Sequence, residues 1–145
     1  KKYSDAGRVD AVVKKKPEEL IALLLQKACV SVRRAILVIT SEELDNKSWE
    51  VRIQATERFQ LSISKALQII TALREILDHE KGGEVSHQLE ETYTSIMATL
   101  WKCSKEKDAV GMEKILRALT ELKEAWETVS GSSPTAEGRL SAESL

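Results

Sequence analysis

The sequence predicts an all-α protein: an antiparallel four-helix bundle with a short N-terminal helical or extended segment. Three observations carry this. Apolar residues recur at spacings of three and four through most of the chain, the pattern of helices that bury one face. Only two prolines occur, Pro17 and Pro134, and nearly everything between them reads as helix. The breaks in the pattern are short and polar, which makes successive helices antiparallel neighbours. With 145 residues the chain is long enough for one domain with a real core.

The first helix is expected to start at Pro17. Proline suits the first turn, and Glu18 and Glu19 suit the positive end of the helix dipole. Its apolar positions are Leu20, Ile21, Leu24, Leu25, Ala28, Val32, Ala35, Ile36 and Ile39. A stripe this wide implies contact with more than one neighbour. Thr40 and Ser41 read as a stop, and the polar residues 41–50 as a connection with a short helical turn.

The second helix is expected from Trp49 to about His79. Phe59, Ile63, Ala66, Leu67, Ile70, Leu73 and Leu77 mark its inner face, widened by Ile69 and Ile76. Gly82 and Gly83 are expected to end it, since glycine just past a helix takes a left-handed conformation readily. This places His79 at a helix C-terminus, where a protonated imidazole favours the dipole. Glu84 opens the third helix, with Val85, Leu89, Tyr93, Ile96, Met97 and Leu100 inward. Asp108 caps the fourth, whose stripe is Met112, Ile115, Leu116, Leu119, Leu122, Trp126 and Val129. Residues 130–145 show no periodicity and are expected to be a disordered tail. In residues 1–16, Tyr3, Val9, Val12 and Val13 form a short amphipathic segment outside the bundle, which spans 17–129.

Composition excludes several functions. The 22 basic and 23 acidic residues give a formal charge of −1, with no electrostatic footprint for nucleic acid. The one basic run, Lys14 to Lys16, reads as solvated lysines. No apolar run approaches the roughly 20 residues that span a bilayer, so no membrane insertion is expected. Cys29 and Cys103 lie in apolar helical patterns and read as buried free thiols of a reducing cytosol. No secretory signal is visible; the chain opens at Lys1 rather than Met, which leaves a lost leader open.

Both histidines fall in the stretch 77–93. Glu84 and His87 share a helix face, as in the Glu-x-x-His motif of di-iron bundles, but those sites need two copies and two further glutamates. His87-Gln-Leu-Glu also has a faint likeness to a histidine phosphotransfer motif, without its lysine and glycine. Solvated surface histidines are the plainer reading. No nucleophile with a matching base and no Gly-rich phosphate loop is apparent. The expectation is no enzyme, no metal and no cofactor.

The ordered stretches "KPEELIALLL", "ALQIITALREILDHEKGGEVSHQLEETY" and "KDAVGMEKILRALTELKEAW" resemble the flagellar secretion chaperone family FliS. That family shows Pro-Glu-Glu-Leu, Ile-Ile-x-x-Leu, Leu-Asp, Gly-Gly-Glu, a Tyr, Asn-Asp and a closing Ala-Trp. Here these stand at Pro17–Leu20, Ile69–Leu73, Leu77–Asp78, Gly82–Glu84, Tyr93, Lys107–Asp108 and Ala125–Trp126, across residues 17–129. Departures occur. Leu23–Ala28 replaces Met-Leu-Tyr-Asp-Gly-Ala, Ser95 replaces the second Tyr of the third helix, and Tyr3 stands fourteen residues before Pro17 rather than about ten.

The resemblance implies a cytoplasmic export chaperone whose partner is the C-terminal segment of flagellin. Such a chaperone prevents premature polymerisation and aids delivery to the flagellar export apparatus. Export-apparatus or regulatory proteins are further expected partners, and apolar faces of this kind also suit a homodimer. On the matching stretches Leu24, Ile70 and Tyr93 are candidate client contacts. Trp101, one residue off its stripe, is a fourth. The resemblance also implies that the N-terminal segment, with Tyr3, Val9, Val12 and Val13, covers part of the client groove. Two other readings stay open: a phosphotransfer bundle using His87, and a generic helical scaffold or dimerisation module.

Overall fold

The computed structural model describes residues 16–130, which form four long helices and one short 3₁₀ turn, with no strand among them. Helix α1 spans Pro17–Thr40, α2 Trp49–Glu75, α3 His79–Glu106 and α4 Ala109–Ser130, with the 3₁₀ turn at Glu43–Asp45. They make an antiparallel four-helix bundle, the expected fold. The expectations for residues 1–15 and 131–145 lie outside the described residues.

Each boundary has a local cause. Pro17 occupies the first turn of α1, with Glu18 and Glu19 beside it. At the other end the Thr40 and Ser41 hydroxyls donate to the Ile36 and Val38 carbonyls (2.7 Å each), which satisfies acceptors the helix leaves open. Ser48 caps α2, accepting from the Val51 N–H (3.4 Å). Asp108 caps α4, its Oδ1 accepting from the Gly111 N–H at 3.0 Å. Before it, Lys107 takes a left-handed conformation (φ 54°) and ends α3.

The junction of α2 and α3 differs from expectation. Gly82 and Gly83 do not end α2. It stops earlier, at Glu75, because Asp78 starts the next helix. The Asp78 Oδ1 accepts from the N–H groups of Glu80 and Lys81 (3.1 Å each). His79 therefore opens α3 rather than closing α2, and the favourable C-terminal dipole does not apply to it. Gly83 is a break inside α3 (φ 51°, ψ −122°), a conformation open to glycine and strained for other residues. Ile76, expected on the inner face, falls in the link and is 48 % exposed.

Helix α1 packs most extensively on α4 and α2, while α3 meets α2 and α4 more sparsely. The buried face of α1 includes Ala22, Ala28, Cys29, Ser31 and Ala35, which let neighbouring backbones come close. Across it the Cys29 Sγ lies 3.7 Å from the Thr120 Oγ1 of α4. The middle of α3 buries Tyr93, Ile96 and Leu100, and its ends bury Gly82, Ser86, Cys103 and Ser104. Both cysteines are free and buried, as expected.

Candidate functional site

A groove of about 510 Å³ runs between α2 and α3. Its apolar lining is Ile63 and Leu67 from α2 and Trp101 from α3, with Gln60, Gln68 and Thr71 as the main polar lining. Thr71 spends its hydroxyl on its own helix, donating to the Leu67 carbonyl at 2.8 Å. Arg74 Nη1 lies 3.3 Å from the Thr94 Oγ1 and links the two walls near one end. Lys105 sits over the Trp101 ring, 5.5 Å from its centroid. Trp101 is 56 % exposed, so its indole is a large, partly desolvated surface beside an apolar trough.

The four candidate contacts fall in different environments. Trp101 lines this groove. Ile70 and Tyr93 are in the core, Tyr93 at 1 % exposure, and burial pushes the Tyr93 phenol up to about 12. Leu24 is half-buried against the core on α1, a helix that contributes nothing to this groove. The structure thus joins Trp101 to Ile63 and Leu67, which sequence reasoning had assigned only to an inner face. Periodicity marks a helix face as apolar; it does not say whether a neighbour covers the edge of that face.

Both histidines sit on the surface of α3. His87 is exposed, with Nε2 2.9 Å from the Glu91 carboxylate one turn on. His79 Nε2 lies 3.5 Å from Glu90. Glu84 is exposed beside the break at Gly83. Among the described residues no group of three or more His, Cys, Asp and Glu is placed to hold a metal ion. Among them, too, no helix is long and apolar enough to cross a membrane.

Comparison with known proteins points one way. The family model described as "Flagellar protein FliS" matches residues 1–133. The chain is similar to the flagellar secretion chaperone FliS of Salmonella typhimurium, 29 % identical over 140 residues, covering 96 % of this chain and 95 % of that protein. It is similar to the flagellar secretion chaperone FliSB of Pseudomonas aeruginosa, 28 % identical over 130 residues, covering 90 % and 94 %. The flagellar secretion chaperone FliS of Campylobacter jejuni is 26 % identical over 121 residues, covering 83 % and 85 %. With a family match across nearly the whole chain and a bundle of the expected fold, this chain belongs to the FliS family of flagellar proteins.

Proposed function

We propose that this chain is a cytoplasmic export chaperone that binds the C-terminal segment of flagellin, keeps it from polymerising early and aids its delivery to the flagellar export apparatus. Family membership supports the chaperone role, and the observation that supports the binding mode is the α2–α3 groove with Trp101 on its rim. A helical client segment lays apolar residues at i, i+3, i+4 and i+7 into such a groove. Trp101 is the anchor, and Ile63 and Leu67 are the floor. Ile70 and Tyr93 act from beneath, by holding the floor in place. The chemistry is holding, not turnover, and it calls for no catalytic group or cofactor.

Binding of this kind folds the client as it docks and buries roughly 1,000–3,000 Å². Residues 1–16, through Tyr3, Val9, Val12 and Val13, cover the groove when the client is absent. Titration calorimetry of the chain with a flagellin C-terminal peptide tests the reading. The expected result is binding of about micromolar affinity or tighter, with a large negative heat-capacity change. Removing residues 1–16 is expected to tighten it and to raise apolar-dye binding. No binding with or without those residues would sink the client assignment.

A further inference from the structure

Helix α1 carries a second apolar feature, on the side turned away from the core. Leu23, Val30 and Leu37 recur at seven-residue intervals. Residues seven apart on a helix fall within about 20° of one another, so the three form a row nearly along the axis, about 21 Å long. Leu37 is 63 % exposed, Leu23 is 36 % exposed and Val30 is half-buried. Leu25, Ala28, Val32 and Ala35 occupy the opposite side and are fully buried.

Between Leu23 and Leu37 the charged residues beside this row have one sign. Lys27, Arg33 and Arg34 flank it and are exposed. The chain has no carboxylate between Glu19 and Glu42. Among the described residues none of the three cations takes part in an ion pair. At the Leu37 end the row opens into a groove of about 450 Å³ between α1 and α2, lined by Arg34, Leu37, Val38, Glu43, Arg58 and Leu61. Leu61 is 71 % exposed there. Glu43, the one carboxylate lining it, is already paired with Arg58.

Scattered exposed leucines are ordinary. A row at heptad spacing, flanked on α1 by Lys27, Arg33 and Arg34 and continued by Leu61 across a groove, is a surface with a complement. We propose that this face docks an acidic amphipathic helix of a protein other than the client. Its apolar residues, spaced by seven, meet Leu23, Val30, Leu37 and Leu61, and its Asp and Glu flanks meet Lys27, Arg33 and Arg34. The face lies on the other edge of α2 from the Trp101 groove. Client and second partner are therefore held at the same time. The assignment goes beyond the client reading and stands on different residues.

Two synthetic helices test it on the full chain by fluorescence anisotropy. Both carry leucine at seven-residue spacing; one is flanked by glutamate, the other by lysine. The glutamate helix is expected to bind at least about tenfold tighter and to weaken as salt rises. Arg33→Glu with Arg34→Glu is expected to reverse the preference without changing the melting temperature, since both side chains are exposed. Leu37→Ser with Leu61→Ser is expected to abolish binding of either helix. Preloading with a flagellin C-terminal peptide is expected to leave the glutamate helix's affinity unchanged. Equal affinity for the two helices, or no effect of the arginine reversal, would overturn the docking face. Displacement by the preloaded peptide would overturn its assignment to a second partner. The first arms need no client and stand whether or not flagellin binds.

Discussion

The Ser86 hydroxyl donates to the Asp78 carbonyl oxygen at 3.0 Å, closing the first turn of α3 over the break at Gly83. The same carbonyl accepts from the Gly82 N–H at 2.7 Å. Ser86 is fully buried, so its hydroxyl has exchanged water for this one partner. Ser86→Ala is expected to cost about 1 kcal/mol, because the Asp78 oxygen keeps its second donor. Gly83→Ala is expected to cost about 1–3 kcal/mol. An added methyl meets nothing within 4 Å, so that cost is backbone strain alone. Urea denaturation checks both: the midpoint should fall while the slope stays constant.

Gly111 answers to a different constraint. A Cβ there would lie 2.5 Å from the Cys103 Sγ and 2.6 Å from the Asp108 Oδ2. Burial first, and next the Asp108 carboxylate, push the Cys103 thiol up, so it packs as a neutral group. Gly111→Ala is expected to destabilise by about 1–3 kcal/mol through overpacking. Adding Cys103→Ala should recover part of the loss, which a double-mutant cycle in urea would measure. A cycle with no coupling would mean the helices separate freely at this point.

Tyr93 predicts an alkaline limit. Its folded pKa of about 12 stands above the ordinary value of 10.0. The native state therefore holds the phenol proton more tightly than the unfolded chain does. That stability is fully present below pH 10.0, falls as pH rises, and is lost through about 12. The loss should approach roughly 3 kcal/mol. Denaturation midpoints of the parent and Tyr93→Phe across that window check it; the variant should lack this component.

Trp101 and Tyr93 separate binding from folding. Trp101→Ala is expected to leave stability within about 0.5 kcal/mol, since the ring is more than half exposed. It should weaken flagellin-peptide binding by about 2 kcal/mol, the scale of an interface anchor. Tyr93→Ala should instead cost about 3–5 kcal/mol of stability, as a large buried aromatic does. Calorimetry beside thermal melts distinguishes them, and equal stability losses would remove Trp101 from the surface.

Most of the architecture was legible in the sequence. Pro17, the stop at Thr40–Ser41 and the cap at Asp108 act locally, and local signals read well. The junction of α2 and α3 was misread because two signals competed. Glycine marked a stop, but the Asp78 carboxylate had already claimed the next helix's first N–H groups. Leu77, partly buried in the link, continued the apolar rhythm past the true end. Of the site, Trp101 was legible because it breaks its stripe. Ile70 and Tyr93 belong to stripes, and a stripe reads alike whether a core or a groove lies over it. The heptad spacing of Leu23, Val30 and Leu37 stands in the sequence, but their exposure does not.

The uneven spacing of the helices has a mechanical consequence. Helix α1 approaches two neighbours closely along its length, whereas α3 approaches both of its own more sparsely. A displacement of α3 thus breaks fewer close approaches than one of α1, and low-cost displacements are where a fold is compliant. Trp101 rides on the compliant helix and the apolar row of Leu23, Val30 and Leu37 on the stiff one. One wall of the bundle can give way, which suits the proposed client groove to segments of varied shape, while the opposite wall keeps a fixed outline.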